Sequence, residues 1–261
     1  MVKKLFTLFL IFNSYFTYAE TIKTDVLIIG SGASAVTAAL QCAHSKVKTI
    51  LLVKGGWLED MEAQKMVSVN ANRNLPSGLW GQFRNEVLNF YKKTPGFDTT
   101  YNAPLTFEPY TGAAILKKIT DTTKNLIVKL NTNYTTIAKN GTGWELTITA
   151  NGQTDHIKAR VIVDATSSGE IATKVGATLP AANKIEGSDP NNLYRTSIAI
   201  GDNYCIPMNV FVAKGADNLL VTNKAFGFDG DIQNLPIQMN IGQGVGTIAA
   251  FVLSLKPPLR I

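Results

Sequence analysis

Apolar residues along this chain come first in short unbroken runs, then at helical spacing, then in strict alternation. Val26, Leu27, Ile28 and Ile29 form a continuous run of the kind that a parallel strand buried on both faces requires. Gly30-Ser31-Gly32 follows at once, and a second run, residues 49–53, closes the unit. Between them Ala35, Val36, Ala38, Ala39, Leu40, Cys42 and Ala43 predict a helix slim enough to lie close on a sheet. The stretch therefore reads as strand, turn, helix, strand.

Further on, Leu79, Phe83, Val87, Leu88 and Tyr91 share one helical face, with Ser77 placed to cap it. Residues 111–123 predict another helix and residues 126–130 a strand. Residues 134–139, 144–149 and 154–159 alternate, and they are separated by Asn140-Gly141-Thr142-Gly143 and Asn151-Gly152. Asparagine-glycine between alternating runs is a strong hairpin signal, so a three-stranded antiparallel meander is expected. Residues 160–166 return to a buried strand, read as separate from the meander, and residues 241–255 predict a closing helix. The expected fold is α/β, a Rossmann-like three-layer arrangement with the meander attached.

The first turn carries candidate chemistry. Gly30 permits a tight bend, Gly32 lets the backbone approach a pyrophosphate, and the third small position, for close helix packing, is Ala35. A helix starting near Ala33 would point unpaired N–H groups and its positive dipole end at phosphate, so Gly30, Ser31, Gly32, Ala33, Ser34 and Ala35 are candidate dinucleotide-binding residues. Glycine-rich turns are common in ordinary structure; the position between two apolar strands and before a helix favours the binding reading. An acid normally follows the second strand, roughly 20 residues beyond the glycines, to hold the adenosine ribose. Here that position is Lys54, with Glu59 and Asp60 close behind. Lys54 is open to three readings: weakened cofactor binding, a harmless surface residue, or a partner for a 2′-phosphate.

Composition narrows the class. With 45% apolar and 17% charged residues the chain can build a core. Its net charge is +6, two units of it from Lys3 and Lys4, and no clustered basic face marks nucleic-acid binding. Two cysteines, Cys42 and Cys205, exclude a disulfide framework or a zinc site but leave a single pairing open. Two histidines argue against a hydrolase triad and against metal catalysis. Residues 1–19 combine Lys3 and Lys4, an apolar run broken by Asn13 and Ser14, and Thr17-Tyr18-Ala19. That is the pattern of a secretory signal peptide, with no stable membrane span after cleavage. An exported mature chain, periplasmic or secreted, is expected to start at Glu20 and to form a single domain over residues 20–261.

The order nucleotide unit, helices, strand, meander, strand, with Asp164-Ala165-Thr166 at the last strand end, resembles the FAD-dependent oxidoreductases of the glutathione-reductase-like flavoprotein class. More narrowly, residues 30–54, 74–84, 160–166, 195–202, 218–222 and 241–247 resemble blocks of exported bacterial FAD-dependent oxidoreductases, some labelled xanthan lyase-like. The resemblance implies FAD as cofactor. It implies that Gly30, Ser31, Gly32 and Ala35 hold the pyrophosphate, that backbone near Thr136 and Ile137 meets the adenine, and that Asp164, Ala165 and Thr166 lie along the cofactor. It also implies that a helix opening at Gly242, Gln243, Gly244, Val245 and Gly246 aims its N-terminus at the flavin ring, with Asp202, Asn203 and Tyr204 as polar neighbours.

The departures from the family are Lys54, Glu59 and Asp60 in place of paired glycines, Gln233 in place of an arginine, and a substrate domain reduced to residues 167–194. Three readings follow. One is an enzyme that passes a hydride or electron pair from a small organic substrate, a carbohydrate derivative among the candidates, to FAD. Another is a reduced, non-catalytic binding or scaffold relative, and the last a nicotinamide-only reductase. The surface left by the missing domain is expected to be apolar and open to a protein partner or self-association.

Overall fold

The computed structural model describes residues 20–57, 67–69, 77–100, 103–179, 197–199, 205–222 and 234–254. Strand β1 (Thr21–Ile29), helix α1 (Ala33–His44) and strand β2 (Thr49–Leu52) form the expected first unit. Val26, Leu27 and Ile28 are wholly buried, as are Ile50 and Leu51, because both faces of these strands are covered. Each such side chain contributes about 1.5–3 kcal/mol of burial. Helix α1 buries ten of its 12 residues, and this near-complete enclosure explains its alanine-rich sequence.

Beyond β2, the short strands β3 (Val67–Val69) and β4 (Leu105–Phe107) pair antiparallel, with helix α2 (Gly78–Tyr91) between them in sequence. The rings of Trp80 and Phe83 lie 5.7 Å apart and those of Phe83 and Phe107 5.5 Å apart, so the aromatic stripe of α2 is core. Helix α3 (Pro109–Asp121) begins two residues earlier than expected because Pro109 is well suited to a first helical turn.

Strand β5 (Leu126–Lys129) lies parallel beside β2. The meander is β6 (Asn133–Asn140), β7 (Gly143–Ala150) and β8 (Gln153–Asp164). Here the structure corrects the sequence reading: the third meander strand and the buried strand after it are one 12-residue strand. No turn-forming residue separates Ala159 from Arg160, so the backbone runs on while the pattern changes from alternating to continuous. The partners explain the change. Residues 153–159 of β8 pair antiparallel with β7, residues 162–164 pair parallel with β11 (Leu219–Val221), and β1 lies along the other edge from His156 to Asp164.

The short helix α4 (Glu170–Lys174) follows β8. Strands β9 (Ser197–Ala199) and β10 (Cys205–Pro207) pair antiparallel, and helix α5 (Leu235–Val252) returns to pack along α1. The parallel strands β5, β2, β1, β8 and β11 end in register: Leu52, Ile29, Asp164 and Val221 are aligned neighbours. Open α/β sheets bind their ligands outside this carboxyl edge.

Candidate functional site

At the carboxyl edge the turn after β1 is fastened from both sides. The Gly30 N–H donates to the Leu52 carbonyl at 3.1 Å, and the Ala165 N–H donates to the Ile29 carbonyl at 2.8 Å. Gly30 has φ +154°, and a Cβ there would fall 2.3 Å from the Ala165 oxygen, so glycine is required by conformation and by the approach of β8. Gly32 differs. It is the N-cap of α1, in ordinary extended conformation, and among the described residues a Cβ on it would meet nothing within 4 Å. The space before Gly32 is open, and the Ala35 and Val36 N–H groups donate back to its carbonyl. The earlier amides of α1 have no intrahelical acceptor, as at any helix start. Ser34 is buried, with its hydroxyl 3.4 Å from that of Thr222.

Asp164 anchors the adjoining loop. One carboxylate oxygen accepts from the Thr166 N–H at 3.1 Å and the Thr166 hydroxyl at 2.6 Å, and the other accepts from the Ala172 N–H at 2.9 Å. Thr166 Oγ1 in turn accepts from the Glu170 N–H at 2.9 Å. Burial pushes the Asp164 carboxyl above the ordinary aspartate range, and these hydrogen bonds oppose that push. Both side chains are thus engaged in fixing the β8–α4 connection, which holds Ala165 against Gly30.

Sequence reasoning missed a group on the rim of this loop. The Tyr134 hydroxyl of β6 donates to Glu170 at 2.5 Å, and the Lys174 ammonium lies 4.5 Å from the Tyr134 ring centre. Burial first, then Glu170, raises the Tyr134 pKa. Thr136 and Ile137 sit further along the same strand, paired with Thr147 and Leu146 of β7, and the Thr136 and Thr147 hydroxyls are 2.8 Å apart. Lys54 is exposed, two residues past the end of β2.

The C-terminal expectation is corrected. Helix α5 opens at Leu235 with Asn234 as N-cap, so Gly242, Gln243, Gly244, Val245 and Gly246 lie in its middle and cannot form its N-terminus. Gly242 and Gly246 face α1: a Cβ on Gly242 would fall 2.1 Å from Thr37 Oγ1 and 2.2 Å from the Ser34 oxygen, and one on Gly246 2.5 Å from the Ala38 oxygen. The spacing of four places both on one helical face, where they let two backbones meet. Val245 is fully buried. Gln243 Oε1 accepts from the Leu79 N–H at 2.9 Å, taking over the start of α2, where the Ser77 side chain makes no capping bond. A signal for the true start was present, since asparagine followed by proline two residues later marks a helix N-terminus. Among the described residues the Asn234 side-chain oxygen, buried there, has no hydrogen-bond partner.

Cys42 is a free, buried thiol whose Sγ lies 3.3 Å from the Gly246 carbonyl, and burial pushes its pKa up to about 12. Glu59, Asp60, Asp202, Asn203, Tyr204 and Gln233 lie outside the described residues, as do the remaining residues of 58–66 and 70–76. Among the described residues no group of three metal-ligating side chains occurs, and no helix is long and apolar enough to cross a membrane.

Solved structures share this fold at low identity. The OxyS anhydrotetracycline hydroxylase from Streptomyces rimosus superposes with a TM-score of 0.57 at 12% identity over 88% of this chain and 63% of that one. The flavoprotein/dehydrogenase from Cytophaga hutchinsonii gives 0.56 at 14% identity, over 89% and 79%. The p-nitrophenol 4-monooxygenase PnpA from Pseudomonas putida DLL-E4 gives 0.54 at 12% identity, over 90% and 80%. This chain thus spans less than two thirds of the OxyS chain. No curated protein matches by sequence. The family model described as FAD dependent oxidoreductase matches residues 25–196, well over half of the chain. The chain therefore belongs to the FAD-dependent oxidoreductase family, whose cofactor is FAD.

Proposed function

We propose that this protein holds FAD along the carboxyl edge of its parallel sheet and oxidises a small organic substrate, a carbohydrate derivative being the candidate, by hydride or electron transfer to the flavin. The observation that carries this is the open position at Gly32 beside the rigid Gly30 turn, at the N-terminus of α1. The residues fit a pyrophosphate: Gly32 admits close approach, and the amides of Ala33 and Ser34 with the helix dipole favour its charge. Asp164 and Thr166 keep the facing loop fixed, so the turn is organised before ligand arrives. The start of α5, at Asn234 and Leu235, replaces the Gly242 region as the helix end available to polarise the ring. Bound FAD supplies the two-electron acceptor, and the chain supplies position and electrostatics.

The mature chain is read as exported, beginning at Glu20, and as a single FAD-binding domain with its substrate region reduced to residues 167–194. N-terminal sequencing of protein recovered outside the cytoplasm should begin at Glu20; an intact Met1 or Val2 start would overturn export with cleavage.

One observation favours the non-catalytic reading. The position after β2 that should receive the adenosine ribose is the exposed Lys54, which offers no acceptor. An absorption spectrum after dialysis against FAD separates the two. Bands at about 370 and 450 nm with about one flavin per chain are the expected result. A folded, colourless protein would leave the binding or scaffold reading.

A further inference from the structure

The opposite end of β1 carries a second cleft, of about 480 Å³, lined by Lys23, Asp25, Lys48, Trp144, Lys158 and Arg160 among others. Asp25 lies five residues before Gly30, about 16 Å along a strand, so this cleft is separate from the glycine turn. Lys23 and Lys158 are direct register partners on β1 and β8. Registered neighbours project from the same face, and like charges placed this way repel. Two carboxylates compensate part of the charge: Glu145 lies 3.7 Å from Lys158, and Asp25 3.3 Å from Arg160, whose other nitrogen donates to the Leu253 carbonyl. Among the described residues neither Lys23 nor Lys48 is paired with a carboxylate. Trp144, in the same lining, is 2% exposed and has an indole N–H that meets no acceptor among the described residues.

We infer that this cleft is a binding site for a small molecule with clustered anionic oxygens, a phosphate ester or a polycarboxylate. Its volume falls within the range of small-molecule sites. Two uncompensated ammonium groups and the repelling Lys23–Lys158 pair give a multivalent anion charge complementarity that a monovalent ion lacks. Asp25 and Glu145 hold Arg160 and Lys158 in place rather than closing the site, because they account for two of its four cations.

Titration calorimetry with inorganic pyrophosphate and with citrate, at ionic strength matched by chloride, tests the inference on the full mature chain. The wild-type protein should bind one of them at one site per chain, pyrophosphate the tighter for a phosphate-ester site and citrate for a polycarboxylate site. Binding should weaken at least about tenfold in Lys23→Gln/Lys158→Gln, a loss of about 1.4 kcal/mol. Lys23→Arg keeps the charge and should keep the binding, which separates charge recognition from a folding defect. Equal binding by wild type and the double glutamine variant would place the anion elsewhere, the glycine turn included, and would overturn the inference. So would heats no larger than those of the chloride control.

Discussion

Two pairs of glycines, Gly30/Gly32 and Gly242/Gly246, look alike in sequence and do different work in the fold. The first pair stands where a strand stops and a helix begins, so one member makes the bend and the other faces open space. The second pair stands inside an 18-residue helix and removes side chains from a contact between two backbones. A glycine near a cofactor and a glycine under another helix are distinguished only by what lies opposite. The two pairs are nevertheless linked: Gly242 packs against Ser34 and Thr37 of α1, the helix whose start the first pair forms. The seam therefore sets the position of the helix end proposed to hold the pyrophosphate.

Substitutions separate these roles. The largest effect is expected for Gly242→Ala, whose new methyl group would fall 2.2 Å from the Ser34 backbone oxygen. Backbone must move, and urea unfolding should show a loss of about 3 kcal/mol or more, with FAD binding weakened as a consequence. Unchanged stability would mean that α1 and α5 are not in contact at Gly242.

Asp164→Asn tests the loop that holds Ala165 against Gly30. The amide cannot accept at both ends, so its N–H₂ would face the Ala172 N–H, and a loss of about 1–3 kcal/mol is expected. The pH dependence carries its own sign. Burial raises the native pKa above the unfolded one, so above the ordinary aspartate range the folded state retains a proton that the unfolded chain has released. Wild-type stability should fall as pH rises through that window, and the asparagine variant should lose this contribution to the slope.

Gly32→Ala should leave unfolding within about 0.5 kcal/mol of wild type, since the position is extended and meets nothing. FAD affinity should fall about tenfold or more, equivalent to about 1.4 kcal/mol, because the methyl group occupies the approach to the pyrophosphate. A variant with undiminished flavin uptake would separate Gly32 from the cofactor. The smallest effect concerns Cys42: in a Cys205→Ser variant, folded protein at pH 8 should react with a thiol reagent far more slowly than unfolded protein, since burial keeps the thiol protonated. Rapid labelling would show that the α1–α5 seam opens readily.

By itself the sequence determined the first unit and the meander, because both rest on local signals: unbroken apolar runs with a glycine turn, and alternation broken by asparagine-glycine. It also marked the Gly30 turn by its glycines, while Asp164 was marked only through the family resemblance. Tertiary structure alone decided that β8 is continuous, since a change of partner from β7 to β11 leaves no breaker in the chain. It alone decided that Gly242 and Gly246 serve packing, and that Gln243 rather than Ser77 serves the start of α2. The contact of Tyr134 with Glu170, 36 residues apart, and the Lys23–Lys158 pairing were equally invisible. Local pattern reports how a residue meets its own strand or helix, while a role made by two elements meeting depends on the partner, which only the folded chain supplies.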